Sequence, residues 1–206
     1  ERLAEQNKKV QAPLKNYGVL PECDDFDKWK HDCYAYEKRG LFLSVGQYKD
    51  NKLSTGFMVY SSSNVHIGSF VEDRHGYPVA HDTGTRLYFL SKVLVEGEWS
   101  NGLLEKELSR RELSKLDACS SSSTTQSTFH SCFGIKDQKD GGIYVGEFMN
   151  GLFEGTGMFF ETTGYYMGSF RRGKFYGEGE YFYASGARYV GDYVSGNSHG
   201  KGVIKY

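Results

Sequence analysis

Residues 144–206 read YVGEFMNGLFEGTGMFFETTGY, YMGSFRRGKFYGEGEYFYASGAR and YVGDYVSGNSHGKGVIKY, and these three lines decide the fold. They superpose without a gap on Tyr-x-Gly-x-aromatic-x-x-Gly-x-x-x-Gly-x-Gly, anchored at Tyr144, Tyr166 and Tyr189, 22 and 23 residues apart. The +4 position holds Phe148, Phe170 and Tyr193, and glycine recurs at +2, +7, +11 and +13 in every copy. Six coincident positions in three copies mark a repeat array.

The spacing has a physical reading. Anchor, +2 and +4 share one face of a period-2 strand, so two aromatics bracket a glycine there. The +7 glycine, preceded by Asn150, Arg172 or Ser195, reads as a hairpin turn that needs a positive φ. Glycines at +11 and +13 are expected on one face of the returning strand, leaving room for the neighbouring copy's aromatics. A second glycine turn follows at Gly164 and Gly186. Each copy is then a β-hairpin too small to fold alone, and the hairpins must stack in series.

This motif resembles the MORN repeat (membrane occupation and recognition nexus), strongly over 144–206 and in degenerate form over 44–102. The resemblance implies a mainly β fold, a single-layer twisted antiparallel β-sheet solenoid of stacked hairpins with a groove. It also implies a scaffold for proteins or phospholipids, with no chemistry of its own.

The degenerate copies start at Ser44-x-Gly46-x-Tyr48, His66-x-Gly68-x-Phe70 and Val95-x-Gly97-x-Trp99-x-x-Gly102; Thr55-Gly56-Phe57 stands where Gly-x-Gly belongs. They keep the glycine and the second aromatic and lose the anchor tyrosine. Four segments follow: 1–40, an N-terminal arm and helix; 41–102, the degenerate repeats; 103–140, an insertion; and 141–206, the three full repeats. Within the first, Asp24–Gly40 reads as a helix with Phe26, Trp29, Cys33 and Tyr36 on one stripe, closing the array or docking a partner. Leu103–Ala118 is rich in helix formers and reads as an inserted helix. The Ser/Thr tract that follows reads as a linker, with Ser120–Ser123 open to phosphorylation. Phe133-Gly134 and Asp140-Gly141-Gly142 look like a partial repeat re-entering the array.

Composition narrows the function classes. The chain of 206 residues holds 26 glycines, 16 tyrosines and 14 phenylalanines but 3 prolines, which suits sheet and turns. A net charge of −1 provides no basic field for nucleic acid or an anionic bilayer. No apolar run is long enough to span a membrane. The chain starts at Glu1 without Met, which leaves a removed targeting segment open. Cys23, Cys33, Cys119 and Cys132 make no Cys-x-x-Cys and no zinc spacing with the histidines, so reduced, partly buried thiols are the expectation. The nine residues between Cys23 and Cys33 also resemble half of a twin-Cys helical hairpin of the mitochondrial intermembrane space, but twelve separate Cys119 from Cys132.

No catalytic constellation emerges. Gly-x-Gly recurs at 155/157, 177/179 and 200/202 without a third glycine or a following helix, so no dinucleotide loop forms. His66 and His199 sit at repeat positions where stacking or surface roles suffice. MORN arrays also occur fused to a lysine methyltransferase or to lipid kinases, but no such segment is present. The expectation is a non-enzymatic protein with no cofactor and no metal.

If anchor, +4, +15 and +17 build the core, the opposite face is exposed. It carries Val145, Met149, Met158, Phe160, Met167, Phe182, Val190 and Val194, with Glu147, Glu180 and Asp192 supplying acid. Such a groove suits a helix or extended segment of a partner protein, amphipathic and basic. The competing reading covers the face with the 103–118 helix or the N-terminal arm, because an apolar face needs a cover. The functional expectation is a scaffold or assembly subunit of a larger complex, cytoplasmic and associated with cytoskeleton or cilium. A membrane-contact scaffold and an accessory subunit of a mitochondrial complex are the alternatives.

Overall fold

The computed structural model describes residues 33–39, 42–50, 52–60, 64–119, 129–138 and 142–205. These form fourteen strands: β1 (Cys33–Arg39), β2 (Phe42–Lys49), β3 (Lys52–Val59), β4 (Val65–Glu72), β5 (Pro78–Tyr88), β6 (Val93–Ser100), β7 (Leu103–Glu112), β8 (Cys132–Asp137), β9 (Ile143–Met149), β10 (Leu152–Glu161), β11 (Gly164–Arg171), β12 (Lys174–Tyr183), β13 (Arg188–Val194) and β14 (Asn197–Lys205). No helix occurs among the described residues. The strands fall into two seven-stranded sheets in sequence order, every neighbouring pair antiparallel. The chain divides correspondingly into two compact units, one within residues 20–112 (β1–β7) and one within 113–206 (β8–β14).

Each full repeat is one hairpin. Asn150–Gly151, Arg172–Gly173 and Ser195–Gly196 all have positive φ at both residues, the geometry of the two-residue turn whose twist matches a hairpin. The glycine at +11 has a different role from the one its spacing suggests. Gly155, Gly177 and Gly200 have φ of 60°, 67° and 64° and lie where the register shifts, so each sits within a β-bulge. Around Gly177 there is room: an added Cβ would meet only the Ser169 side chain, at 3.8 Å.

The glycines at +2 and +13 make the close approach instead. Gly134, Gly146, Gly157, Gly168, Gly179, Gly191 and Gly202 pair one with the next across all seven strands β8–β14. The anchor ring of the same repeat, not the next repeat's aromatic, lies on this row: an added Cβ at Gly157 would come within 2.6 Å of the Tyr144 hydroxyl. The hydroxyls then donate to carbonyls of their own strand, Tyr144 to Glu147 (2.8 Å) and Tyr166 to Ser169 (3.0 Å).

The repeats stack through aromatics that the motif only half shows. Tyr144 lies flat on Phe153 at 3.8 Å and Tyr166 on Phe175 at 3.9 Å. Each anchor also meets the next repeat's +4 ring edge-on, Tyr144 with Phe170 at 4.8 Å and Tyr166 with Tyr193 at 5.0 Å. Each such pair is worth about 0.5–1.5 kcal/mol beyond its buried area. In the third repeat +9 is Ser198, so the flat stack stops at Tyr189.

The degenerate copies form hairpins as well: β2–β3, β4–β5 and β6–β7, preceded by β1. Gly46, Gly56, Gly68, Gly84 and Gly97 pair in a row across β2–β6, and the row ends at Ala35 on β1 and Glu107 on β7.

Two expected helices fail where the structure can test them. Residues 103–112 are strand β7, bound to β6 through its backbone and through Lys106–Glu98 (3.0 Å) and Ser109–Glu96 (3.1 Å). The turn at Asn101–Gly102 sends the chain back along β6, and that pairing overrides helix propensity. Of Asp24–Gly40, residues 24–32 lie outside the described residues, and 33–39 are strand β1. The thiol expectation also fails: Cys119 and Cys132 are joined by a disulfide, Cα–Cα 4.9 Å. Cys23 and the Ser120–Ser123 tract lie outside the described residues.

Candidate partner-binding face

The strand register brings most of the candidate residues together. Val145, Met158, Met167, Glu180 and Val190 pair in one row across β9–β13, which continues to Val203 on β14. A second row beside it holds Ile143, Phe160, Tyr165, Phe182 and Arg188. Glu147, Met149 and Asp192 stand away from both rows, nearer the hairpin tips.

The face is not open along its length, which corrects three of the expected exposed residues. Val145 and Met158 are 1% exposed and Phe160 is 0% exposed. They belong to the interior, with Ile143 and Tyr165 beside them. The expectation failed because it assigned one face of the sheet to the core, whereas both residues flanking Tyr144 (Ile143 and Val145) and the one before Tyr166 (Tyr165) are apolar and buried on the other face. The N-terminal sheet repeats the pattern: Leu43, Val59, Val65 and Leu87 pair in a row on its corresponding face and are all buried.

Exposure increases toward β14. Met167, Phe182 and Val190 are half-buried, Asp192 is exposed, and Val203 is 56% exposed. Phe182 stacks on Tyr165 at 4.5 Å and carries the Arg188 guanidinium over its ring at 4.8 Å. Arg188 also binds Glu180 at 2.6 Å. The carboxylate expected to attract a basic partner is thus already neutralised within the sheet. Glu147 is likewise engaged, accepting from the Thr156 amide at 3.3 Å in the bulge. Arg188 and Tyr165 escaped the sequence reading because they lie one position before an anchor, where the motif leaves the side-chain type unspecified.

A second chemically distinct cluster occupies the N-terminal sheet. His66 takes the anchor position of β4, is 0% exposed, and packs edge-on against Phe70 (5.3 Å) and Trp99 (5.2 Å). Neither ring nitrogen has a hydrogen-bond partner. Burial, with the nearby Arg86 charge adding to it, lowers its pKa to about 3. Arg86 itself lies over Trp99 at 4.1 Å and donates to the Gly102 carbonyl at 3.1 Å. A neutral, stacked imidazole of this kind supports packing.

Comparison with protein families matches the MORN repeat at residues 96–105, 144–161, 166–188 and 189–206. The first stretch falls on the β6–β7 turn, inside the sheet whose copies had lost their anchor tyrosine; the other three are the full hairpins. No curated protein matches the chain. MORN repeats are in general protein- or lipid-interaction modules rather than enzymes. The glycine rows, the stacked anchors and these four matches agree: the chain carries MORN repeats.

Proposed function

We propose that this chain is a non-enzymatic assembly scaffold whose C-terminal sheet holds an apolar helix or extended segment of a partner protein at the β12–β14 end. The observation that carries this reading is the gradient along one register row, from 1% exposure at Val145 and Met158 to 56% at Val203. A row that is apolar but for the Arg188-paired Glu180, sealed at one end and open at the other, has a natural site for an external cover. Met167, Phe182 and Val190 form its edge, Glu180 and Asp192 its polar border. Methionine and valine adapt to varied apolar partners, which suits a scaffold. A net charge of −1 favours protein over an anionic membrane surface. A cytoskeletal or ciliary assembly is the setting we favour; a phospholipid-contact scaffold and a mitochondrial accessory subunit are the alternatives.

The test uses Val190→Asp with Val203→Asp, both on the open end. Affinity purification with mass spectrometry from the native source should lose partners relative to the parent, while circular dichroism and the melting profile stay the same. A folded variant that captures every parental partner excludes this face. In parallel, the parent should not sediment with phosphatidylserine vesicles at physiological ionic strength. Salt-sensitive sedimentation there favours the membrane reading.

A further inference from the structure

β8 closes the C-terminal sheet with a device that the repeats do not supply. It is a terminal strand, paired with β9 on one side only. Residues 117–119 take its other edge: the Phe133 amide donates to the Asp117 carbonyl, and the Cys119 amide to the Phe133 carbonyl, both at 2.8 Å. The resulting Ala118–Phe133 bridge is parallel, unlike the antiparallel strand pairs around it. The Cys119–Cys132 disulfide then ties this clip covalently to β8.

The sulfur also fills a particular slot. Gly134 is the first glycine of the seven-strand row, and an added Cβ there would come within 2.7 Å of Cys119 Sγ. Along the rest of the row that place belongs to an anchor ring, of Tyr144, Tyr166 or Tyr189. Cys132 pairs with Phe148 and belongs to the aromatic cluster against which Cys119 packs. The disulfide therefore stands in for the tyrosine that a preceding repeat would supply.

Take the bond away and, among the described residues, the clip keeps the Phe133–Asp117 and Cys119–Phe133 backbone hydrogen bonds and the packing of Cys119 on the aromatic cluster. Their net stabilisation is small against the entropy of fixing three residues at a strand edge, and the loop-closing bond is what offsets that entropy. The chain past the loop is anchored separately. The Gly151 amide donates to the Phe129 carbonyl at 2.6 Å, and Phe129 meets Phe148 edge-on at 5.0 Å. Loss of the clip leaves those contacts in place.

We propose that Cys119 and Cys132 form a redox-operated clip: oxidised, it holds residues 117–119 on the β8 edge; reduced, it releases them from that edge. The reductant is a dithiol. Its thiolate attacks Sγ of Cys119, the half-buried sulfur of the pair, and the S–S bond breaks. Cys132 leaves as a thiolate and takes up a proton. The second thiol of the reductant then displaces Cys119, which also ends as a thiol. Two electrons and two protons pass to the protein, and the dithiol becomes a disulfide.

The experiment compares the full chain, oxidised and after dithiothreitol without denaturant, by hydrogen exchange and by alkylation read at the peptide level. Alkylation at Cys119 and Cys132 should appear with reductant. The Cys119 and Phe133 amides should exchange at least about tenfold faster, while β10–β13 stay within about twofold. Cys119→Ser with Cys132→Ser should reproduce this without reductant, and reoxidation of the parent should reverse it. Three results overturn the proposal: a disulfide that dithiothreitol cannot reach in the folded chain, unchanged exchange at both amides after reduction, or exchange that rises alike from β9 to β14. The last would make the bond a staple of the whole unit.

Discussion

In the C-terminal sheet the anchor positions of β9, β11 and β13 are Tyr144, Tyr166 and Tyr189; in the N-terminal sheet the same positions of β2, β4 and β6 are Ser44, His66 and Val95. Both sheets keep a glycine row beneath these residues, seven strands long in one and five in the other. The row is therefore the backbone requirement of the hairpin stack, and the anchor is the variable that sets its chemistry. A tyrosine covers the glycines and carries its hydroxyl to a strand carbonyl, so the polar tip is satisfied. Histidine covers them with a shorter ring whose nitrogens reach nothing. One solution stores stability in stacked aromatics; the other leaves a buried group that acid can charge.

The largest expected effect tests what the two sheets share, the sealed second face. Phe160→Asp in one and Val65→Asp in the other place a charge where exposure is 0%. Each should cost about 4 kcal/mol or more and unfold its own unit, read by residue-resolved hydrogen exchange. A folded Phe160→Asp would return this face to the exposed class.

Next comes the anchor contrast itself. Tyr166→Ala removes a fully buried ring stacked on Phe175 and should cost about 3–5 kcal/mol in urea denaturation. Ser44→Ala, at the equivalent N-terminal anchor, should cost less than about 1 kcal/mol. Equal losses would mean that the anchors are not equivalent in role.

Acid and alkali should separate the units. The lowered pKa of His66 means that the unfolded chain binds its proton first, so stability of the N-terminal unit is full above pH 6.5 and falls as pH drops toward 3. The slope contributed is at most about 1.4 kcal/mol per pH unit, and His66→Phe should remove it. Burial raises the pKa of Tyr144, Tyr166, Tyr181 and Tyr193 in the C-terminal unit, against Tyr60 in the N-terminal unit, where the Arg86 charge opposes the rise. Their contribution is intact below the ordinary tyrosine value of 10.0 and is lost as pH climbs past it. Urea midpoints across pH 4–11 decide the matter; parallel losses in both units would break the contrast.

Smaller effects sharpen the backbone argument. Gly177→Ala meets open space but a φ of 67°, and should cost about 1–2 kcal/mol. Gly179→Ala, two residues on, drives a methyl into the Tyr166 ring and should cost more. Smallest of all, Arg188→Gln should change the unfolding free energy by less than about 1 kcal/mol in urea denaturation, because its pair with Glu180 is partly exposed.

How much of this was legible before folding varies with the residue. The hairpins of 144–206 were, because a two-residue turn demands a positive φ and a strand alternates faces, and both constraints act within a few residues. The degenerate copies at Ser44 and His66 were readable from glycine and the second aromatic alone; at Val95 only the first strand of the hairpin was. Phe153 and Phe175 were overlooked, since Ser198 breaks their recurrence at +9. Glycine spacing located the +11 residue without revealing its role, because a bulge and a close approach both select glycine. Leu103–Glu112 misled, because helix propensity is local and strand pairing is not.

By itself, then, the sequence determined the repeat, its turns and its antiparallel hairpin order, all matters of short-range stereochemistry. Only the tertiary structure decided which side chains are sealed, because burial depends on what lies across strands and faces that no spacing records. It removed Val145, Met158 and Phe160 from the open surface, paired Glu180 with Arg188, and joined Cys119 to Cys132 at the strand edge. Two cysteines with twelve residues between them carry no pairing information until β8 and the segment at 117–119 lie side by side.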